Sequence, residues 1–564
     1  MAAPQPNASA RTPEGRLRSV CSTILIHAKK HVGVGVVCAV AYFDPGNWGV
    51  DLQAGSQFGY RQLFMVLIAG LFAAVLQVLA TKLGCVTGLD LASHCRLLLY
   101  DRPKHTLLYR RLVLYPLYFL SEIAIIATDL AELLGSAIAL CLLFPKLQLW
   151  QSVLITALDV IFLLALRDPL RSKPVKMFEF LIAGLVLAVL ICMIIVISKV
   201  HVDWAEAFDG FLPSKSIFND SGLYTSVGIL GATVMPHSLF LGSALATQDR
   251  LNVETPPVPE PESLKESAEL KVADSQEATA KSAPDMSQLD QLGEFFKSMF
   301  RTPPPSQRST RVKSHEEREN NSLAFIRAHL NHGIVDVVGS LLGFAVLINS
   351  LILMLAGTVF YYGGASDSNM NKSAGIFDAY DLIHRIVGPP AATIFAIALL
   401  AAGQSSSIIA TGSVHLFSVA FTSNRIIATV AGQAVAEGFL NWRVSPVVRR
   451  LMTRLLAVIP SVAVAAAVGR PGINALLVAS QVILAIVLPF ITLPLIYLTS
   501  SKTVMRVRQP DALVNTATET ENWCNDTIDF SNGLVTTLLA CAIWLVMLTV
   551  NIYVIITLII EAQS

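Results

Sequence analysis

The chain has 564 residues, of which 54% are hydrophobic and only 14% charged, with a formal net charge of +1 and a mean hydropathy of +0.60. A soluble domain carries about 25% charged residues, so the composition excludes a soluble globular protein. It points instead to a chain that crosses the bilayer many times, with no nucleic-acid partner.

In chain order, residues 1–30 form a polar, basic tail. The apolar run that follows is long enough to remain as a span, so no cleavable signal is expected. This first span, 32–58, contains AYFDPGNWGV at 41–50, which puts Asp44, Pro45, Gly46 and Asn47 at its middle. Proline removes a backbone donor and glycine loosens the turn, so the helix is expected to break at membrane depth. A second span, 62–83, carries Gln77. The third, 112–142, places Glu122, Asp129 and Glu132 at spacings of seven and three, which share one helical face. Spans at 149–166 and 177–199 complete a first five-helix repeat over 31–199, followed by an external loop at 200–221.

The sixth span, 222–247 within a segment 222–250, is interrupted by Met235-Pro236-His237. Two proline-broken spans five apart are the sequence pointer to an inverted five-plus-five transporter repeat with its site at the midplane. Residues 251–320 turn abruptly to Pro, Ser, Glu and Lys and read as a disordered cytosolic linker. Within it, QLGEFFKSMF (291–300) is open between a short amphipathic surface helix and a sticky patch. The rest of the second repeat, 321–500, holds spans at 332–361, 390–440, 451–468 and 474–499. A cytosolic loop at 501–532 leads to the eleventh span, 533–559, in a C-terminal segment 533–564.

With the N-terminus in the cytosol, the tail and the loops after even-numbered spans hold 33 Lys and Arg, against seven in the loops after odd-numbered spans. That bias orients the chain with its N-terminus inside and its C-terminus external or lumenal. The sequons at Asn219 and Asn371 then face outside. Cys38, Cys141, Cys192 and Cys541 fall in spans, and Cys21, Cys85, Cys95 and Cys524 on the cytosolic side, so neither a disulfide framework nor a zinc site is expected.

At the breaks, Asp44 offers a hard anionic oxygen, Asn47 a neutral carbonyl oxygen and Met235 a soft thioether, and the interrupted sixth span offers a backbone carbonyl near Ala232. Oxygen-only sites suit Mg²⁺ and Ca²⁺, whereas added sulfur favours softer transition metals. The expectation is a divalent first-row metal, not an amino acid. His237 is open as a ligand, a proton acceptor or a core group. Carboxylates inside a bilayer are costly unless paired or functional. Arg450 and Arg454, where the ninth span begins, are candidate partners, which leaves a proton pathway and a structural ion-pair network both open. Gln77, Asn349 and Gln481 are buried amides that either line the cavity or glue helices together. No GxSxG or HExxH is present, so neither enzymatic activity nor a cofactor is expected.

These residues resemble the NRAMP divalent metal transporters. The likeness rests on AYFDPGNWGVDLQAGSQFGY, LQVLATKLGCVTGLDLA, EIAIIATDLAELLGSAIAL, GATVMPHSLFLGSALA, FAIALLAAGQSSS, AGQAVAEGFLNWR and LPFITLPLIYLTS, which together cover nearly all spans. The resemblance implies an all-α polytopic membrane protein with a LeuT-like inverted 5+5 repeat plus an eleventh span, its first and sixth spans unwound at the midplane. It implies proton-coupled import of Mn²⁺ and Fe²⁺ by alternating access. Asp44, Asn47, Met235 and the Ala232 carbonyl would bind the metal, with Gln481 joining in some states. Glu122, Asp129, Glu132 and His237 would belong to the proton-linked network, with Arg450 and Arg454 at its cytosolic end. The membrane is the plasma membrane or an endomembrane, and turnover or trafficking factors would act on the 251–320 linker.

Two features depart from the family. Many members carry a histidine five residues after the MPH histidine, where this chain has Gly242. In the eighth span, Ile408-Ile409-Ala410-Thr411 recurs at Ile426-Ile427-Ala428-Thr429, and deleting Gly412 to Thr429 restores the family pattern SSSIIATVAGQAVAEGFL. Without those 18 residues the segment is a 33-residue helix of about 50 Å. With them it needs a break, and it puts His415 and Arg425 near bilayer depth. Residues 412–429 therefore read as a retained short intron or gene-model error, with a genuine loop as the alternative. Two functional rivals are a sodium-coupled amino-acid transporter of the same fold, disfavoured by the anionic Asp44, and a non-transporting metal receptor.

Overall fold

The computed structural model describes residues 34–158, 175–249, 314–315, 318–363, 374–419, 435, 438–440, 446–508 and 527–563. The first repeat holds α1 (Val34–Val40), α2 (Pro45–Phe58), α3 (Leu63–Thr87), α4 (Leu91–Leu99), α5 (Tyr115–Leu143), α6 (Leu149–Ala157) and α7 (Val175–Ser198). The second holds α8 (Asp220–Thr233), α9 (Pro236–Leu245), α10 (Leu323–Ser340), α11 (Leu347–Ala356), α12 (Ile376–Ile386), α13 (Pro389–Val419), α14 (Pro446–Ala467) and α15 (Arg470–Ser500), and α16 (Leu534–Gln563) follows it. Six helical stretches among the described residues are long and apolar enough to cross a bilayer, with shorter apolar helices at Ala183–Ser198, Pro389–Gln404 and Leu451–Ala467. The remainder of the expected fourth span, most of the linker, the QLGEFFKSMF stretch, Asn371 and residues 420–429 of the anomalous segment lie outside the described residues.

Both expected interruptions are present, and each follows from a proline. Pro45 has no N–H for the Ala41 carbonyl, so α1 tightens into short turns, with Ala41 N–H on Cys38 O at 3.2 Å and Tyr42 N–H on Ala39 O at 2.9 Å. A new helix, α2, then starts with Asp44 as its N-cap, in extended conformation, accepting from the Asn47 N–H. In the sixth span Pro236 likewise deprives the Ala232 carbonyl of its helical donor. Met235 is extended (φ −86°, ψ 124°) between α8 and α9.

Around this pair the spans pack in a buried core, α2 against α8, α11 and α15, and α5 against α13, α14 and α15. Close approach depends on glycine where backbones meet. A Cβ on Gly135 of α5 would collide with the Pro45 ring, and one on Gly84 of α3 with the Ser243 carbonyl of α9. Large apolar side chains such as Phe119, Ile459 and Leu538 are 60–65% exposed, the belt that a bilayer covers.

Two spans begin earlier than hydropathy suggests. The third is helical from Thr106 and the seventh from Leu323, where Ser322 caps it by accepting from Phe325 N–H. Hydropathy marks the apolar stretch, whereas the helix runs on to its cap. The seventh also widens into π-turns at Leu341–Val346 and Gly357–Tyr361, on either side of Asn349.

The last residues of the 251–320 segment, expected to be disordered, instead tie down the end of α3 together with Asn321. Arg318 Nη2 donates to the Thr87 and Gly88 carbonyls (2.9 and 3.1 Å), and Asn321 donates to Val86 O from its backbone and to Cys85 O from its side chain (3.0 and 2.8 Å). These are the carbonyls a helix C-terminus leaves without intrahelical partners, and a guanidinium complements the dipole there. Asn320 spans to Val504 and Arg506, beside a two-stranded antiparallel pair, β1 (Arg506–Arg508) with β2 (Thr527–Asp529).

Gly135→Val should displace Pro45 and cost about 1–3 kcal/mol of overpacking strain. A thermal-unfolding series on the detergent-solubilised protein reads this as a lowered midpoint. An unchanged midpoint would show that the interrupted span yields freely.

Candidate metal centre

The interruptions bring side chains far apart in sequence onto one buried point. Asn47 Nδ2 donates to Asp44 Oδ1 at 2.7 Å and to the Ala232 carbonyl at 3.0 Å, so the carboxylate of the first span and the freed carbonyl of the sixth lie on either side of one amide. Asn349, on α11, donates to the Tyr42 carbonyl (2.8 Å) and towards Asn47 Oδ1 (3.4 Å), which holds the amide from behind. Gln481 of α15 packs on Gly46 so closely that a Cβ there would collide with its amide, and the same Cβ would lie 3.1 Å from Asp44 Oδ2. Met235 is fully buried at the junction of α8 and α9.

Three oxygens of this group, Asp44 Oδ2, Asn349 Oδ1 and Gln481 Oε1, are buried without a hydrogen-bond donor. Buried acceptors are ordinarily satisfied, and each one left bare costs about 1–3 kcal/mol. The C-terminal end of α8, whose carbonyl Ala232 supplies, carries partial negative charge as well. Together they form a cluster of electron-rich atoms with one full negative charge, which suits a cation. Among the described residues no group of three or more His, Cys, Asp or Glu could hold a metal ion, so this centre rests on mixed ligands around a single carboxylate.

A polar thread continues from the centre. Tyr42 Oη lies 2.6 Å from Ser238 Oγ and 3.0 Å from Gln77 Oε1, and Ser238 Oγ donates to the Met235 carbonyl at 2.7 Å. His237 Nδ1 is 3.1 Å from Thr128 Oγ1 on α5, one residue before Asp129. Asp129 is paired with Arg454 of α14 at 2.9 Å, both side chains at most 3% exposed, and Arg454 Nη2 reaches the Thr156 carbonyl at 3.4 Å. Glu132 is buried a turn further along and Glu122 is half-buried. Arg450 lies in the first turns of α14, with its side chain outside the described residues. Gly242 has its own structural reason, since a Cβ there would collide with the Gln77 amide. Gln77 thus fills the space beside position 242.

Sequence reasoning named the ligand candidates and the Asp129–Arg454 partners. It named Asn349 and Gln77 only as generic buried amides, and it missed Tyr42 and Ser238. Tyr42 lies inside the quoted AYFDPGNWGV stretch, and a tyrosine hydroxyl at membrane depth was the available signal.

Interrupted first and sixth spans facing each other across a buried, cation-suited centre are the arrangement of a membrane transporter. A sequence model of the family described as natural resistance-associated macrophage protein-like matches residues 35–275 and 307–518, and the chain belongs to that family of divalent metal transporters. It is 39% identical to the manganese transporter pdt1 of Schizosaccharomyces pombe, over 94% of this chain and 85% of that one. It is 34% identical to the iron transporter SMF3 of Saccharomyces cerevisiae, over 96% and 98% respectively. A crystal structure of the Eremococcus coleocola manganese transporter shares the fold at 28% identity and a TM-score of 0.63, covering 96% of this chain and 87% of that one.

Arg454→Met would strand the Asp129 carboxylate in the interior and should cost about 3–5 kcal/mol, whereas Asp129→Asn combined with Arg454→Met should cost clearly less. Thermal unfolding of the two solubilised variants checks this, and equal losses would show that the pair is not coupled.

Proposed function

We propose that the chain imports Mn²⁺, and Fe²⁺ as a second substrate, into the cytosol by proton-coupled alternating access, with its N-terminus cytosolic. The observation that carries this reading is the convergence of bare buried oxygens on the break between α1 and α2, opposite a carbonyl freed by Pro236. A half-turn of the Asn47 amide would replace its nitrogen by Oδ1 between Asp44 and Ala232, giving three oxygens to one cation, with Gln481 and the Met235 thioether completing the set. The thioether favours Mn²⁺ and Fe²⁺ over the harder Mg²⁺ and Ca²⁺. Relatives named for manganese and for iron support both substrates.

Proton movement is proposed along His237, Thr128, Asp129 and Glu132 towards Arg454, with Glu122 and Arg450 as flanking charged groups. Two contacts support it: His237 lies within hydrogen-bond distance of Thr128, and Arg454 donates to Asp129. Rocking of the half-helices α1 and α9 about the centre would open one side at a time. The 251–320 linker is proposed as the handle for cytosolic turnover or trafficking factors.

In cells lacking their own metal uptake, Asp44→Ala should abolish pH-dependent Mn²⁺ uptake, and near-normal uptake would refute the assignment. Met235→Ala should keep part of the Mn²⁺ uptake while admitting Ca²⁺ or Mg²⁺, and unchanged selectivity would remove the thioether argument. A chain shortened by Gly412–Thr429 should transport where the full-length chain does not. Equal uptake from both would show those residues to be a tolerated loop.

A further inference from the structure

The loop between α4 and the third span borders an open cleft of about 530 Å³ on the side of the molecule that carries most of the basic residues. That size lies within the roughly 300–1,000 Å³ of small-ligand pockets. Its walls include Arg102, Lys104 and His105 from the loop, Tyr109 from the first turn of the third span and His315 from near the end of the 251–320 segment. The one carboxylate in the lining, Asp101, is already paired with Arg110 at 3.3 Å. Arg102 spends its Nε on the Leu98 carbonyl and stacks over the Tyr109 ring at 4.7 Å, which fixes the guanidinium, and among the described residues its terminal nitrogens meet no carboxylate. Lys104 is exposed and has no ion pair among the described residues. His105 adopts the left-handed region (φ 56°), the only non-glycine described residue to do so, so the turn that presents Lys104 and His105 is held at a conformational cost.

Position relative to the bilayer supplies the second, independent observation. The helical stretch Thr106–Leu143 has 38 residues. At 1.5 Å per residue it is about 57 Å long, far more than the roughly 30 Å hydrocarbon layer. Arg110 and Arg111 in its first turns mark that end as the one that emerges among the headgroups. There Leu107, Leu108 and Leu112 are 55–67% exposed, next to Arg110 and Arg111. Exposed leucines beside a basic cavity at the start of a span match a surface that meets acyl chains on one side and headgroups on the other.

We propose that this cavity binds the phosphomonoester headgroup of an anionic lipid, of the phosphoinositide class, from the leaflet on the basic side. Arg102 and Lys104 would hold the phosphate by charge-assisted hydrogen bonds, and Leu107, Leu108 and Leu112 would lie along the acyl chains. Two uncompensated cations favour a doubly charged phosphomonoester over the singly charged phosphodiester of an ordinary lipid.

The cavity also communicates with the transport core. His315 Nε2 is 3.0 Å from His94 Nδ1, with the rings stacked, and His94 Nε2 is 2.8 Å from Thr87 Oγ1 at the end of α3. Burial, and then Arg318, push the His315 imidazole down to about 4. From α3 the path continues through Gly84 to Ser243 of α9, the inner half of the broken sixth span. Lipid in the cavity would thus brace the end of α3 against α9. This inference goes beyond the metal reading and stands on the loop, the cavity and the membrane embedding alone.

The test uses the full-length protein in lipid nanodiscs, with a fluorescent phosphatylinositol phosphate as probe. The wild-type chain should bind the probe more tightly than phosphatidylserine supplied at matched surface charge, and a soluble inositol phosphate should bind more weakly than the lipid. The combined Arg102→Gln and Lys104→Gln variant, both at partly or fully exposed positions, should lose about tenfold or more in affinity. Equal binding of phosphatidylserine would overturn the headgroup assignment. Soluble inositol phosphate binding as tightly as the lipid would overturn the lipid source. Unchanged affinity in the double variant would overturn the site itself.

Discussion

A bilayer contains no water to satisfy a broken backbone, and everything at the centre of this molecule answers to that constraint. Pro45 and Pro236 each withdraw one N–H from a spanning helix, freeing the carbonyls of Ala41 and Ala232. Side chains then do what water would do in a soluble protein. Asp44 caps α2, Asn47 donates to Ala232, Asn349 donates to Tyr42, and Ser238 donates to Met235. The interruption costs hydrogen bonds and gains a group of oxygens at membrane depth. Coordination chemistry becomes available where an unbroken helix would present only hydrocarbon.

The surrounding helices keep that arrangement in place without filling it. Gly135 lets α5 lie against the Pro45 ring, and Gly46 lets the Gln481 amide lie on the break. Through α5 the centre is joined to Asp129 and its buried guanidinium partner on α14. A buried ion pair contributes little net stability, because desolvation offsets attraction. This pair stands one residue from Thr128, which His237 reaches from the broken sixth span.

Much of this was legible in the sequence, because prolines and carboxylates in apolar runs are conspicuous. The Asp-Pro-Gly-Asn and Met-Pro-His breaks located both interruptions, and seven-and-three spacing placed Glu122, Asp129 and Glu132 on one face with Arg450 and Arg454 as candidate partners, of which the structure pairs Asp129 with Arg454. Family membership agrees with the resemblance drawn from those motifs. Contacts between amides and backbone some 300 positions apart, such as Asn349 with Tyr42, were not legible, since periodicity describes one helix at a time. The reason for Gly242 was equally hidden. Its lack of a side chain becomes intelligible only when Gln77 of another span is found against it. The early starts at Thr106 and Leu323 escaped hydropathy because polar and charged residues, Arg110 and Arg111 in the one and Arg327, His329 and Asn331 in the other, interrupt the apolar signal there.

The central claim is that a cation sits among oxygens of the broken helices with one thioether beside it. X-ray absorption spectroscopy of the purified protein loaded with Cd²⁺, a soft divalent probe, tests this directly. The account predicts a first shell of oxygens with a single sulfur, and loss of that sulfur in Met235→Ala. A shell of oxygen and nitrogen alone in the unsubstituted protein would contradict it.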